Sequence, residues 1–358
     1  MKLSRRRALK AVAALALAPA FARAQAPRAP AAVGYLPWWI APGWRGLRLQ
    51  ALERLVAFDA PIGPDGALER RAWRKLAPGL DASGRSIELA LTLIGEGDFE
   101  RVFARAASRE RLLADCERFL DESWLAGLHL DIEGYDAATP GAIAGFRGWL
   151  AALDEAARAR GKTLSAFFPA SDEFNAYDAV AAARIAWWVA QLYDAHWAES
   201  KVTGPLVTRD EANAVGVPRA LARLAALGVP RSRMLLSVPL YGWQWAAASE
   251  RPGAAAFGKA KLLTYATTPS SLMPNDRLAA SALAAEHGLR RDGERTPYYA
   301  YRAAGRWVQG WYEDMTSLTH KLAPERPRGY AGLAFFPLGY DGGEIVEPLL
   351  RWWRAAPT

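Results

Sequence analysis

The chain has 358 residues, of which 51% are apolar, a formal net charge of +8 and a single cysteine. This length and composition fit one large α/β barrel or two ordinary domains, and they exclude a largely disordered chain. A single cysteine, Cys116, excludes an internal disulfide. Its helical spacing with Leu112, Leu113 and Leu120 favours a packed core residue.

The first 26 residues predict an export signal peptide. A basic run at residues 5–7 precedes an uncharged stretch of twelve Ala- and Leu-rich residues at 11–22, and small residues follow. A bilayer span takes roughly 20 apolar residues, so this stretch is too short for one, and we expect no membrane span in the mature chain. The small residues that follow it predict cleavage near residues 24–26. The run "SRRRALK" is similar to a bacterial twin-arginine signal, with a general-secretion signal as the alternative. The expected location is therefore periplasmic or extracellular.

Most of the net positive charge of the chain lies in this predicted signal peptide. Residues 1–24 contain six basic residues and no acid, so the mature chain carries only about +2. The remainder shows no basic stripe with interleaved aromatic residues, and a nucleic-acid partner is therefore not expected.

Eight short runs rich in Val, Ile, Leu, Phe and Tyr predict β-strands. Amphipathic helical patterns separate most of them, which favours a single (β/α)₈ (TIM) barrel over residues 30–358. A doubly wound open sheet is the alternative, but the glycine-rich phosphate loop typical of that fold is missing. The predicted strands are 32–36, 54–58, 87–93, 126–133, 163–169, 186–193, 232–241 and 330–337.

One interval departs from the alternation of strands and helices. Between the seventh strand and the helix near 315–322 lie aromatic-rich alternating segments such as "AKLLTYATTP" and "TPYYAYRAAGRWVQGWYED". Such alternation is typical of short antiparallel strands. We therefore expect a small inserted α+β segment at about 246–312, on the catalytic face of the barrel.

The segment "AGLHLDIEGY" at 126–135 alternates apolar and titratable residues. On a strand, His129, Asp131 and Glu133 then point into the barrel and rise toward its carboxyl-terminal mouth, where barrel active sites form. Buried carboxyl groups this close together raise one another's pKa, which suits proton transfer near neutral pH. A metal site is the less favoured alternative, because three positions along one strand lie nearly in line and cannot surround an ion without further ligands.

The same segment resembles the signature D-G-x-D-x-D-x-E of the family 18 glycoside hydrolases, the chitinase family, with Gly127, Asp131 and Glu133 in place. Other segments resemble the same family in the same order. They are "VGYLPWW", "ELALTLIGEGDFERVF", "AQLYDAHW", "SVPLYGWQW", "GWYEDMTSLTHK" and "GLAFFPLGYDGGE".

The resemblance implies a retaining mechanism in which the substrate's own N-acetyl group is the nucleophile. Glu133 would be the general acid, Asp131 would hold the acetamido group, and Tyr193 would donate a hydrogen bond to its carbonyl oxygen. Asp194 and Tyr241 would bind the sugar. The implied ligands are oligo- or polysaccharides that contain N-acetylglucosamine; no cofactor or metal is required, and a monomer is expected.

Three substrate-binding positions depart from the family pattern. His129 replaces an Asp that shares a proton with the next Asp, Phe336 replaces a Trp at the floor of the site, and Gln191 replaces a Met. We expect His129 to control the charge of Asp131 and to add an acid limb to the rate profile between about pH 5.5 and 7.5. The alternatives are a non-catalytic carbohydrate-binding barrel and a metal-dependent sugar hydrolase or deacetylase.

Overall fold

The computed structural model describes residues 28–69, 71, 73–133, 138–170, 177–266 and 278–355, so the predicted signal peptide lies outside the described residues. Eight parallel strands close into a barrel in the order β1-β14-β7-β6-β5-β4-β3-β2. All eight predicted strands and the TIM-barrel fold are confirmed. The barrel strands are β1 Ala32–Pro37, β2 Arg54–Pro61, β3 Ser86–Leu93, β4 Gly127–Ile132, β5 Thr163–Phe168, β6 Trp187–Ala190, β7 Met234–Pro239 and β14 Gly332–Phe336.

Helices cover the outside of the barrel, so its strands are buried on both faces and contain long apolar runs. The helix after β4 begins where the Thr139 side chain accepts a hydrogen bond from the backbone N–H of Ala142, and the chain leaves it through Gly161 at φ 65°. The helices are α1 Trp73–Asp81, α2 Asp98–Phe103, α3 Ala106–Leu120, α4 Pro140–Ala159, α5 Ala179–Ala182, α6 Val217–Ala226, α7 Ala280–His287, α8 Met315–Leu322 and α9 Val346–Arg354. Among the described residues, none of these helices combines the length and apolar character needed to cross a bilayer.

The inserted segment forms a second sheet of six strands in the order β10-β9-β8-β13-β12-β11. It is antiparallel except for the pairing of β9 with β10, and α7 packs against it. The sheet begins at Tyr241, earlier than the predicted 246, because the chain passes from β7 into β8 without an intervening helix. Its strands are β8 Tyr241–Ala247, β9 Ala256–Thr264, β10 Leu278–Ala279, β11 Arg290–Arg291, β12 Pro297–Ala303 and β13 Arg306–Trp311.

Candidate active site

The structure places the predicted column of titratable side chains on β4. His129 is fully buried and Asp131 is 5% exposed. Glu133 follows the last strand residue, and its backbone N–H donates to the carbonyl oxygen of Leu93 on β3 at 2.8 Å. The carboxyl end of β4 therefore carries both acids to the mouth of the barrel.

Asp131 and Glu133 share a side-chain hydrogen bond. Burial, together with the charge of Asp131, raises the pKa of Glu133 well above its ordinary value. Burial also raises the pKa of Asp131 to about 7, while the hydrogen bond from Glu133 acts in the opposite direction. The pair therefore holds a proton to higher pH than isolated carboxyl groups do, and its two members titrate together.

His129 lies on β4 as predicted, but it does not hydrogen-bond Asp131 as the sequence suggested. Its Nε2 lies 2.9 Å from the Tyr35 hydroxyl and its Nδ1 lies 2.7 Å from the Ser165 hydroxyl, so both ring nitrogens bond residues other than Asp131. Burial lowers the pKa of His129 to about 3. The imidazole is therefore neutral at every pH at which the proposed acid limb would appear, and it is absent from the cavity lining. The prediction that His129 contacts substrate and switches the charge of Asp131 is corrected on these grounds.

A cavity of about 490 Å³ opens at the mouth beside the two acids. Its lining combines three carboxyl groups with a wall of aromatic rings, as expected for a site that binds a ring-shaped polar ligand. The lining residues are Tyr35, Phe58, Ile94, Asp131, Glu133, Phe167, Pro169, Gln191, Tyr193, Asp194, Trp197, Ala214, Val215, Tyr241 and Phe336.

Tyr193, Asp194 and Tyr241 meet on one side of the cavity. The Tyr241 hydroxyl donates to Oδ1 of Asp194 at 2.6 Å. Asp194 has a backbone φ of 70°, a left-handed conformation that is uncommon outside glycine and turns its carboxyl group toward Tyr241. Burial raises the pKa of Asp194 to about 6, and it raises the pKa of Tyr193 well above its usual value. Burial also raises the pKa of Tyr241, so the hydroxyl groups of Tyr193 and Tyr241 both keep their protons at neutral pH and can donate hydrogen bonds.

Phe336 and Gln191 also reach the cavity. The Phe336 ring lies parallel to that of Tyr193, with centroids 6.3 Å apart, and edge-on to Phe58 at 5.1 Å. Gln191 accepts a hydrogen bond from the backbone N–H of Ala170 at 2.9 Å. The side-chain oxygen of Gln191 is thus engaged in holding the chain after β5.

Sequence reasoning missed Asp59 on β2, which lies close enough for its charge to act on Asp131. Asp59 accepts a hydrogen bond from Thr92 at 2.6 Å and forms an ion pair with Arg71 at 3.1 Å. The only signal in the sequence was an acid inside the apolar run "RLVAFDAP", which by itself does not indicate which residue it faces.

The histidines and acids of the described ranges do not converge on an ion. Within residues 28–355, apart from the undescribed segments, no three His, Cys, Asp or Glu side chains are grouped as metal ligands would be. His196, near the mouth of the barrel, bonds the backbone carbonyl oxygen of Pro205 at 2.9 Å. The predicted metal-dependent alternative therefore has no candidate site in this part of the chain.

An eight-stranded parallel barrel with two hydrogen-bonded carboxyl groups beside an aromatic cavity defines a protein of the barrel glycoside hydrolase class. The family model for glycosyl hydrolases family 18 matches residues 83–341. The chain belongs to this family, and it is a glycoside hydrolase of the family 18 type. No curated protein matched the chain.

Solved structures share the fold at low sequence identity. A family 18 chitinase from Cycas revoluta, in complex with allosamidin, is 18% identical and has a TM-score of 0.72, over 91% of this chain and 100% of that chain. The Ostrinia furnacalis Group II chitinase catalytic domain 2 is 18% identical with a TM-score of 0.71, over 92% and 98%. The Bacillus cereus spore cortex-lytic enzyme SleL is 18% identical with a TM-score of 0.64, over 87% and 72%.

Proposed function

We propose that this protein hydrolyses β-linked glycans that contain N-acetylglucosamine, such as chitin oligomers or the glycan of peptidoglycan, with retention of configuration. The observation that carries the proposal is the hydrogen-bonded Asp131–Glu133 pair in the cavity wall. Burial and the neighbouring charge raise the pKa of Glu133 well above its ordinary value, and a carboxyl group that keeps its proton can act as a general acid.

In the proposed reaction Glu133 protonates the glycosidic oxygen, and the leaving sugar departs. The carbonyl oxygen of the substrate's acetamido group attacks the anomeric carbon and forms a cyclic oxazolinium ion. The Asp131 carboxylate accepts the acetamido N–H and stabilises the positive charge. Glu133, now ionised, takes a proton from water as that water attacks the anomeric carbon from the side of the departed sugar. The bond between the anomeric carbon and the acetamido oxygen breaks in the same step, which restores the acetamido group.

The other cavity residues would position the sugar. Tyr193 would donate its hydroxyl to the acetamido oxygen, while Asp194 and Tyr241, already joined by a hydrogen bond, would bind neighbouring polar groups. Phe336 would offer an apolar face to the sugar ring. This arrangement supports binding of a neutral N-acetylated sugar.

The test is to incubate the purified mature protein with chitin oligomers, peptidoglycan and de-N-acetylated analogues, and to identify products by mass spectrometry. Products from N-acetylated substrates alone would support the mechanism, because the attacking oxygen belongs to the acetamido group. Oligosaccharide binding without any product would instead support the non-catalytic carbohydrate-binding barrel.

We predict that Glu133→Gln lowers the hydrolysis rate by ~10²- to 10⁴-fold, the usual contribution of general acid catalysis. The amide keeps the size of the side chain, so the melting temperature and oligosaccharide affinity should remain close to those of the wild type. Glu286→Gln, an exposed acid on α7 outside the cavity lining, is the matched control and should retain full activity. A rate within about threefold of wild type for Glu133→Gln would place the general acid elsewhere.

We also propose that the protein is exported and loses its first 24 to 26 residues. The basic, apolar and small-residue segments of the N-terminus support this proposal. Mass spectrometry of the protein recovered from periplasm and medium would locate the cleavage. Recovery of the uncleaved chain from the cytoplasm alone would contradict it.

A further inference from the structure

A buried hydrogen-bonded chain runs beneath the candidate active site. It begins at the Arg54–Glu88 ion pair between β2 and β3, and Ser165 on β5 bonds the second oxygen of Glu88. The Ser165 hydroxyl lies 2.7 Å from Nδ1 of His129, and Nε2 of His129 lies 2.9 Å from the Tyr35 hydroxyl. Glu88, Ser165 and His129 are fully buried, so no water competes for these bonds.

The proton positions in this chain follow from its lower end. Arg54 keeps its charge and contacts Glu88 directly, so the carboxylate form of Glu88 is the one that balances it, although burial raises the pKa of Glu88. A carboxylate only accepts hydrogen bonds, so the single hydroxyl hydrogen of Ser165 is committed to Glu88. The Ser165 oxygen can then only accept from His129, which places the imidazole hydrogen on Nδ1.

The upper end of the chain is fixed in the same way. With its hydrogen on Nδ1, a neutral His129 has a lone pair on Nε2 and accepts the Tyr35 O–H. Tyr35 then presents only oxygen lone pairs to the cavity that it shares with Asp131. Consistent with this, Oδ1 of Asp131 is buried and accepts no hydrogen bond from any described residue.

We propose that His129 is a positioning residue: held as the Nδ1–H tautomer by Glu88 through Ser165, it turns the Tyr35 hydroxyl away from Asp131. Among the described residues, Glu133 is then the one side chain that hydrogen-bonds Asp131. The shared proton is thereby confined to the Asp131–Glu133 pair. The role of His129 in catalysis rests on the proposed function. The tautomer of His129 and the direction of the hydrogen bonds from Glu88 to Tyr35 do not.

Several other groups act on Asp131 and stay unchanged in the test. Asp59 on β2 raises its pKa by charge, and Glu133 donates a hydrogen bond to it. The charge of Asp131 also reaches three buried phenols, those of Tyr35 on β1, Tyr177 before α5 and Tyr193 after β6. A change made at Glu88 leaves all of these side chains in place.

Glu88→Gln should reverse the donor and acceptor roles along the hydrogen-bonded chain from Glu88 to Tyr35. The amide oxygen is expected to stay against the Arg54 charge, so the amide NH₂ faces Ser165 and donates to it. Ser165 then donates to Nδ1 of His129, the imidazole hydrogen moves to Nε2, and the Tyr35 hydroxyl is free to donate toward Asp131. A hydrogen bond donated to the carboxylate lowers its pKa.

The experiment has two arms. Nitrogen-15 NMR of the wild type should show His129 as a neutral Nδ1–H tautomer that does not titrate between pH 5 and 8; the chain has only four histidines, so assignment by single replacement is practical. In Glu88→Gln the tautomer should change to Nε2–H, and the acid limb of the rate profile should shift by about one unit to lower pH. Thr163→Val is the matched control, because it removes the 3.2 Å bond to the other oxygen of Glu88 without giving Ser165 a donor.

An Nε2–H tautomer or a titrating His129 in the wild type would overturn the proposal. So would a folded Glu88→Gln protein with an unchanged tautomer, or a changed tautomer with an unshifted acid limb. If Glu88→Gln fails to fold, the wild-type spectrum still decides the proton position. Absence of any hydrolytic activity would overturn the proposed function but would leave the tautomer measurement intact.

Discussion

Asp131 and His129 face the same side of β4 two residues apart, yet their surroundings shift their pKa values in opposite directions. Burial disfavours the charged form of each, so the pKa of the acid rises to about 7 and that of the imidazole falls to about 3. Both side chains are therefore uncharged just below neutral pH. Any acid limb of activity near neutral pH then belongs to Asp131 and not to His129.

The raised pKa of Asp131 predicts a conflict between stability and activity. In the unfolded chain an Asp ionises near pH 3.9, whereas the folded protein keeps this proton until about pH 7. The folded state therefore binds more protons in this window, and stability falls as pH rises through it, by on the order of 4 kcal/mol in total. Asp131→Asn, which is neutral at all pH values, should raise the free energy of unfolding at pH 8 and leave it nearly unchanged at pH 4, while lowering the rate by ~10²-fold or more because the carboxylate is lost.

Urea unfolding at pH 4, 6 and 8, together with rates on chitin oligomers, would measure both effects. Asp121→Asn provides the control, because it makes the same change of side chain at a carboxyl group that is 64% exposed and outside the cavity lining. A stability difference for Asp131→Asn that is the same at every pH would mean that Asp131 ionises normally in the folded protein.

At the scale of elements, the register of β4 against β5 depends on Gly127. Gly127 lies opposite Thr163, and a Cβ added to it would lie 2.1 Å from the Thr163 backbone carbonyl oxygen. A backbone atom cannot move aside as a side chain can. Gly127 therefore allows β4 to approach β5 closely. The register of this pairing sets the positions of His129 and Asp131 along the barrel axis.

We predict that Gly127→Ala destabilises the protein by about 1–3 kcal/mol, the usual cost of overpacking, or more. Gly148→Ala makes a clean comparison, since Gly148 lies on the exposed face of α4 with no atom within 4 Å of an added Cβ. This second change should stabilise the protein by about 0.5–1 kcal/mol through helix propensity. Thermal and chemical denaturation would measure both, and equal effects of the two changes would refute the steric argument.

At the scale of the whole molecule, a buried ion pair joins the inserted sheet to the barrel. Lys321 on α8 bonds both carboxylate oxygens of Glu313, at 2.8 and 3.0 Å, and neither side chain is exposed. Its Nζ also donates to the carbonyl oxygen of Val207 and the hydroxyl of Thr296. Glu313 accepts the backbone N–H of Val207 in return. The loop after β6, the end of the insertion and α8 are thereby fixed to one another.

We predict that Lys321→Met costs about 3–5 kcal/mol, because it leaves the buried Glu313 charge without its partner. Adding Glu313→Gln should recover a large part of this loss, since the amide carries no charge and can still accept the Val207 N–H. Equilibrium unfolding of both single variants and the double variant would give the coupling energy. Strictly additive effects would show that the pair does not act as a unit.

The sequence alone determined the eight barrel strands, the β4 column and the family resemblance. Each of these depends on residues close together in the chain: apolar runs of strand length, alternation with period two, and the spacing of Asp131 and Glu133. The beginning of the insertion was placed late, because nothing local to Tyr241 distinguishes the end of a barrel strand from the start of a strand in a second sheet.

Only the tertiary structure decided what the site side chains contact. His129 and Tyr35 are 94 residues apart in the sequence, and His129 and Ser165 are 36 apart, so no local pattern connects them. The sequence placed His129 beside Asp131 and therefore expected the two to interact. Barrel closure instead brings Ser165 of the neighbouring strand β5 and Tyr35 of β1, three strands away across the barrel interior, to the two imidazole nitrogens. Both nitrogens are paired because a buried polar atom is costly unless it has a partner.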